Sequence, residues 1–156
     1  MNKKPLIILT GPTAVGKTAL SIRLAKKING EIISADSMQV YRGMDIGSAK
    51  VSEEEMDGVK HYLIDVLDPS DEFNVVKFQE MAKEAMDDIY SKGKIPIIAG
   101  GTGFYIQSIL YDIDFEKNEN DREYRTYLEN IAATEDGEKK LYEMLQNIDS
   151  KSAEII

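Results

Sequence analysis

The sequence predicts an α/β fold: a three-layer core built on a parallel sheet, followed by a small all-α element. Three observations predict it. Short apolar runs of strand type alternate with segments of helical period as far as Tyr111, a glycine-rich turn joins the first run to the first helix, and beyond Asp112 the chain becomes densely charged and amphipathic. Strands that alternate with helices pair in parallel, because each crossover lays its helix on a face of the sheet.

Leu6-Ile7-Ile8-Leu9 is a continuous apolar run of buried-strand type, and Leu20, Leu24, Ala25 and Ile28 then recur at helical spacing. Between them, Gly11-Pro12-Thr13-Ala14-Val15-Gly16-Lys17-Thr18 satisfies the G-x-x-x-x-G-K-[ST] pattern of a P-loop. Strand, glycine loop and helix are the context that the pattern needs, so the core is expected to be P-loop NTPase-like. Ile28-Asn29-Gly30 predicts a helix stop, and Glu31 to Ala35 a second strand leading into the turn Asp36-Ser37. Met38 to Lys50 has no sustained period and reads as a loop with short helical turns. Ser52 followed by three glutamates predicts a short capped helix.

His61 to Val66 is a third strand candidate, closed by Asp68-Pro69. The most regular helix follows, with Phe78, Met81, Ala82, Ala85, Met86, Ile89 and Tyr90 on one stripe and acids and lysines opposite. Ile95 to Ala99 is a buried strand with its proline near the start, leading through Gly100-Gly101-Thr102-Gly103 into an apolar helix from Phe104 to Leu110. The expected domains are 1–113, a P-loop core lacking later core segments, and 114–156, a partial helical element. Tyr124, Leu128 and Ile131 mark one amphipathic helix there, and Leu141, Leu145 and Ile148 another. Asp149 or Ser150 caps a new helix close to the apolar Ile155-Ile156, which reads as a chain cut short.

Composition narrows the chemistry. With no cysteine and one histidine, thiolate sites and cysteine nucleophiles are excluded and zinc is disfavoured, which leaves oxygen-liganded Mg²⁺ as the metal this chain can hold. No stretch has the length of a membrane span or the pattern of a signal peptide, so a cytoplasmic location is expected. A net charge of −9 argues against a general grip on nucleic acid, so any such function needs local basic residues or a basic segment absent from this chain.

A P-loop recognises a diphosphate without saying what carries it. Its backbone N–H groups and the following helix N-terminus face the phosphate oxygens, Lys17 supplies a point charge, and the Thr18 hydroxyl can reach a phosphate-bound Mg²⁺. Ligands of an open parallel sheet collect beyond the carboxyl ends of its strands, where the P-loop, Asp36-Ser37 and Gly100-Gly101-Thr102 should converge. Asp36 is the candidate for removing a proton from an attacking group; the alternative is a turn residue bonding its own backbone. The glycines at 100, 101 and 103 either let a substrate approach or serve the turn alone. His61 has no companion and reads as a packing or hydrogen-bonding residue. Asp65 could order Mg²⁺ and water as in an ATPase, but Ile95 to Ala99, the most buried-looking strand, ends in glycines, which weakens simple ATP hydrolysis.

Whole phrases of the chain resemble the tRNA dimethylallyltransferase (tRNA isopentenyltransferase) family. They are residues 11 to 18, Ile33-Ser34-Ala35-Asp36-Ser37-Met38-Gln39-Val40-Tyr41, Gly43-Met44-Asp45-Ile46-Gly47-Ser48-Ala49-Lys50, His61-Tyr62-Leu63-Ile64-Asp65 and Ile98-Ala99-Gly100-Gly101-Thr102-Gly103-Phe104-Tyr105. The resemblance implies transfer of a dimethylallyl group from dimethylallyl diphosphate to the exocyclic N6 of the adenosine 3′ to a tRNA anticodon. It implies that Gly11, Pro12, Thr13, Ala14, Val15, Gly16, Lys17 and Thr18 hold the diphosphate, with Mg²⁺ near Thr18 and Asp36 as the base. Ser37, Met38 and Gln39 would line the adenine pocket, and Thr102 would touch tRNA. The helical element would clasp the anticodon stem-loop, with Arg125, in an Asp-x-x-x-Arg pattern with Asp121, as an RNA contact. Members are longer than this chain and carry later basic segments, so the chain alone is expected to transfer poorly; it is expected to be a monomer. A P-loop small-molecule kinase, a prenyltransferase of adenine nucleotides, and a nucleotide-binding regulatory domain (ATP being one such nucleotide) remain as alternatives.

Overall fold

The computed structural model describes residues 4–115 and 122–156. The chain divides into two compact units, Met1–Phe115 and Glu116–Ile156. The first carries strands β1 (Ile7–Thr10), β2 (Gly30–Ala35), β3 (His61–Tyr62) and β4 (Ile95–Gly100), and helices α1 (Lys17–Ile28), α2 (Glu53–Met56), α3 (Val75–Ser91) and α4 (Gly103–Leu110). Every strand pair is parallel and the order is β1-β4-β2-β3.

Register explains the three layers. Ile32 pairs with Ile97 and Ile33 with Ile98, and successive side chains of a strand point to opposite faces. Ile32 and Ile97 therefore pack with Ile22 and Ala25 of α1 on one face. Ile33 and Ile98 meet Phe78, Ala82, Ala85 and Ile89 of α3 and Tyr105 and Ile106 of α4 on the other. Both central strands are covered on two sides, which is why β4 is an unbroken apolar run. Pro96 is buried in that central strand, at the second position.

Local signals set most boundaries. Asn74 caps α3 by accepting from the Lys77 N–H at 3.0 Å, and Ser52 and Glu55 form a reciprocal capping box on α2. α1 ends at Asn29, in the left-handed region at φ 55°. The stripe predicted on α3 is the buried face, joined by Gln79, whose amide donates to the Ser108 and Ile113 carbonyls at 2.8 Å each.

The third strand departs from the sequence reading. Only His61 and Tyr62 pair with β2, because Leu63 and Asp65 adopt positive φ of 61° and 53°. Beyond Tyr62 the backbone pairs with another partner: the N–H groups of Asp65 and Val66 donate to the Gln39 and Val40 carbonyls at 3.1 and 2.9 Å. Met38 to Lys50 contains turns and no helix.

The second unit is helical, with α5 (Arg122–Ala132), α6 (Gly137–Ile148) and α7 (Ser150–Ala153). Asp149 caps α7, accepting from the Ser152 N–H at 3.1 Å. Leu128, Ile131, Leu141 and Leu145 are half-buried, as the two predicted stripes require, while Tyr124 and Ile148 are exposed. Among the described residues no helix is long and apolar enough to cross a membrane.

Candidate active site

A cavity of about 360 Å³ opens at the carboxyl ends of β2 and β4, a volume suited to a small ligand. Its wall combines the P-loop residues Thr13, Ala14, Gly16, Lys17 and Thr18 with Asp36 and Gln39, and with Gly100 and Gly101. The three loops expected to converge do so.

The P-loop geometry follows from its residues. Gly16 is the N-cap of α1 at φ 87°, a conformation that a side chain disfavours, so glycine is required there by the turn. Ala14 holds φ 65° without that freedom, a strained residue in the phosphate turn. Lys17 folds over the loop, donating to the Gly11 carbonyl at 2.8 Å and the Pro12 carbonyl at 2.5 Å. An ammonium has three donors, so one remains for a ligand. Gly11, Pro12 and Val15 belong to the loop but not to the cavity wall, and Val15 is 60% exposed.

Asp36 has the turn geometry of one reading and the place in the cavity wall that the other needs. Its Oδ1 accepts from the Met38 N–H at 2.9 Å and the Gln39 N–H at 3.3 Å, a turn-forming arrangement. The same residue lines the cavity, and Oδ2 has no hydrogen-bond partner among the described residues. One oxygen orients the carboxylate while the other stays available. Ser37 and Met38 are exposed and outside the cavity wall, so the turn brings in Gln39 alone. The Gln39 amide donates to the Ser48 and Ala49 carbonyls at 3.4 and 3.2 Å, which leaves its Oε1 as the acceptor end.

Alternation along β2 explains residues that sequence reasoning missed. Ile32, Ser34 and Asp36 are two apart and all line the cavity. Ser48, Ala49, Val51, His61 and Ile64 join them. His61 donates from Nδ1 to the Val59 carbonyl at 2.9 Å, so the neutral ring keeps Nε2 as an acceptor. Burial pulls this imidazole below its ordinary 6.5, and that hydrogen bond only partly offsets the effect.

Two other expectations are settled differently. Asp65 is outside the cavity wall and bound to Lys50 at 2.5 Å, so it is not placed to order Mg²⁺ and water beside the P-loop. Gly100 serves strand packing, since a Cβ there would meet the Ala35 carbonyl oxygen at 2.3 Å, whereas the nearest atom to one on Gly101 is 3.8 Å away. Thr102 is the N-cap of α4, makes no side-chain cap bond, and is not part of the cavity wall. In the second unit Arg125 is exposed and its Nε donates to Glu129 at 3.1 Å. Asp121 lies outside the described residues.

A family model described as IPP transferase matches residues 39–156. The chain belongs to the IPP transferase family. A tRNA dimethylallyltransferase of Lachnoclostridium phytofermentans is 65% identical over 153 residues, 98% of this chain and 49% of its own length. The chain thus spans about half the length of this curated IPP transferase relative. The full-length tRNA isopentenylpyrophosphate transferase of Bacillus halodurans superposes with a TM-score of 0.73 at 47% identity, covering 99% of this chain and 50% of that one. A eukaryotic dimethylallyltransferase acting on tRNA superposes with a TM-score of 0.81 at 35% identity, over 97% of this chain and 37% of that one. These matches span the P-loop and Asp36 as well as the segment that the family model covers.

Proposed function

We propose that this protein provides the donor-binding and proton-removing half of a tRNA dimethylallyltransferase. The reaction passes the dimethylallyl group of dimethylallyl diphosphate to N6 of the adenosine 3′ to the anticodon. One observation carries the reading: the phosphate loop and a carboxylate oriented by its own turn share a single cavity.

In the proposed step the C1–O bond of the donor breaks, the C1–N6 bond forms, and one N6 proton passes to Asp36 Oδ2. Charge gathers on the departing diphosphate, so the P-loop N–H groups and the remaining Lys17 donor act more strongly on the transition state than on the ground state. An aryl amine becomes acidic only as the new bond forms, so a carboxylate of ordinary basicity suffices once it is in place. The Gln39 Oε1 is suited to accept from the second N6–H, which would hold the amine toward Asp36. Adenosine must leave its stack to enter, at a cost of a few kcal/mol that is lower in a loop than in a duplex.

The residues fit Mg²⁺ of the substrate-bridging kind. Among the described residues no group of three or more His, Cys, Asp or Glu is arranged to hold a metal, whereas Thr18 offers a hard oxygen beside the phosphate loop. Mg²⁺ commonly takes its remaining ligands from phosphate and water. When bound, it would neutralise charge on the diphosphate. Arg125 and Thr102 are the proposed tRNA contacts, with the helical unit directed at the anticodon stem-loop. The enzyme is proposed to act as a monomer in the cytoplasm.

The test supplies labelled dimethylallyl diphosphate, with tRNA, AMP and ATP as competing co-substrates. It uses this chain alone and joined to the part of the Lachnoclostridium relative that it does not cover. Label on tRNA from the joined protein, and little from this chain alone, is the expected result. Label on AMP, or phosphate transfer from ATP without prenyl transfer, would overturn it.

A further inference from the structure

The loop from Tyr41 to Lys50 contains no helix or strand, yet it supplies Ser48 and Ala49 to the cavity wall, with Val51 directly after. Its backbone turns at Gly43 and Gly47, with φ of 71° and 83° that glycine adopts freely, and at Ala49, whose φ of 48° is strained for a residue with a side chain. The loop keeps this one shape only where side-chain contacts impose it.

Lys50 imposes it. Its side chain is 5% exposed, is not part of the cavity wall, and spends all three ammonium donors on fixed oxygens. These are the Tyr41 carbonyl at 2.7 Å, Asp45 Oδ1 at 2.8 Å and Asp65 Oδ1 at 2.5 Å. The first two close the loop on itself, and the third ties it to the turn that ends the truncated third strand. Burial pulls the Lys50 ammonium down, but the bonds to Asp45 and Asp65 more than offset it and keep it charged. Without that cation, two carboxylates would face one another across its place.

We infer that Lys50 is a positioning residue. By clamping the loop against the Asp65 turn it fixes Ser48 and Ala49, through them the Gln39 amide that donates to their carbonyls, and hence where an acceptor base lies relative to Asp36. This rests on the transferase reading above and adds the part that aims the acceptor. Lys50 touches neither substrate. No P-loop residue takes part in these bonds, so loss of Lys50 should spoil acceptor use and spare diphosphate binding.

Lys50→Met separates these effects. In this chain, amide exchange should speed up about tenfold or more in peptides spanning Gln39–Val51 and Leu63–Leu67, with Leu6–Ile28 unchanged. In the joined protein, kcat/KM for tRNA should fall about 10- to 100-fold, while pyrophosphate affinity stays within about twofold. This chain has no cysteine, so Lys50→Cys in it can be alkylated with 2-bromoethylamine at that position alone, restoring an ammonium at nearly the lysine length. The alkylated chain should regain slow exchange in both segments. Unchanged exchange in Gln39–Val51, acceleration that includes the P-loop, or full tRNA transfer despite a loosened loop would each overturn the inference. If the unsubstituted joined protein transfers no prenyl group, the transferase reading fails, and the exchange and pyrophosphate results still decide whether Lys50 holds this wall.

Discussion

Gly100→Ala tests whether strand packing sets the site. A Cβ on Gly100 would lie 2.3 Å from the Ala35 carbonyl oxygen, 2.5 Å from its carbon and 2.9 Å from its Cα. Ordinary contact begins at 3.4 Å, so the Ala35 carbonyl must withdraw by about 1 Å, and none of these atoms belongs to a side chain that could rotate away. Ala35 is fully buried and paired with Gly100 between the two central strands, so the shift passes along the backbone to the next residue, Asp36. It also strains the bond from the Thr102 N–H to the Ala35 carbonyl, 3.3 Å long. Overpacking costs about 1–3 kcal/mol and the weakened hydrogen bond about 1 more, giving a loss of about 2–4 kcal/mol. With a urea slope of about 2 kcal/mol per molar, the unfolding midpoint should fall by about 1–2 M. A 1 Å displacement of a reacting group costs about a hundredfold in rate, so transfer should drop by that order in molecules that remain folded. Gly101→Ala is the control: its nearest neighbour is 3.8 Å away, and its midpoint should move by no more than about 0.5 kcal/mol in equivalent stability. Equal midpoints and rates for wild type and Gly100→Ala would refute the reasoning.

Three further outcomes follow from named contacts. Lys17→Met removes the only lysine on the phosphate loop and should weaken magnesium pyrophosphate binding by about tenfold or more, read by calorimetry; unchanged affinity would contradict the role given to its third donor. Glu31 is 5% exposed and accepts from Lys94 and Tyr62 at 2.7 Å each; burial raises its pKa, but those bonds outweigh burial and hold it below 4.5. Its contribution is therefore present above pH 4.5 and lost as pH falls through the lower folded value, so Glu31→Gln should cost about 1–3 kcal/mol at pH 7 and flatten the acid limb of a stability profile. The partners Lys92 and Lys94 are about a third exposed, and solvent screening there keeps the cost below the roughly 3–5 kcal/mol of a fully buried pair. Burial of His61 lowers its pKa below 6.5, so the unfolded chain takes up a proton first and stability falls as pH drops through 6.5. His61→Asn should remove up to about 1.4 kcal/mol per pH unit of that slope, and identical denaturation profiles at pH 5.5 and 7.5 for both proteins would contradict it.

Much of this was legible because it is local. The P-loop pattern between a strand and a helix, the α3 stripe and the Asp36 turn each depend on a few neighbouring residues, and all appear where expected. What escaped depends on partners distant in sequence. His61 to Val66 reads as a strand from its apolar residues, but Leu63 turns out of the sheet because Gln39 and Val40 offer carbonyls to the residues after it. Gln79 occupies a polar position beside the helix stripe and is buried, since two carbonyls near the end of α4 await its amide. Lys50 looks like a surface lysine until Asp65, fifteen positions away, is found against it. His61 and Ser34 could have been placed in the cavity by alternation along their strands, given the pairing of Ile32 with His61.

The central claim is that Asp36 is held by one oxygen and reacts through the other. Asp36→Asn separates these roles: the amide oxygen can still accept from the Met38 and Gln39 N–H groups, so the turn survives, but the proton acceptor is gone. Single-turnover transfer of labelled prenyl group to tRNA by the joined protein, measured beside pyrophosphate affinity, should show a rate loss of about a hundredfold or more with affinity unchanged. A variant that transfers at the wild-type rate would contradict the account, since the oxygen it assigns to the chemistry would then be dispensable.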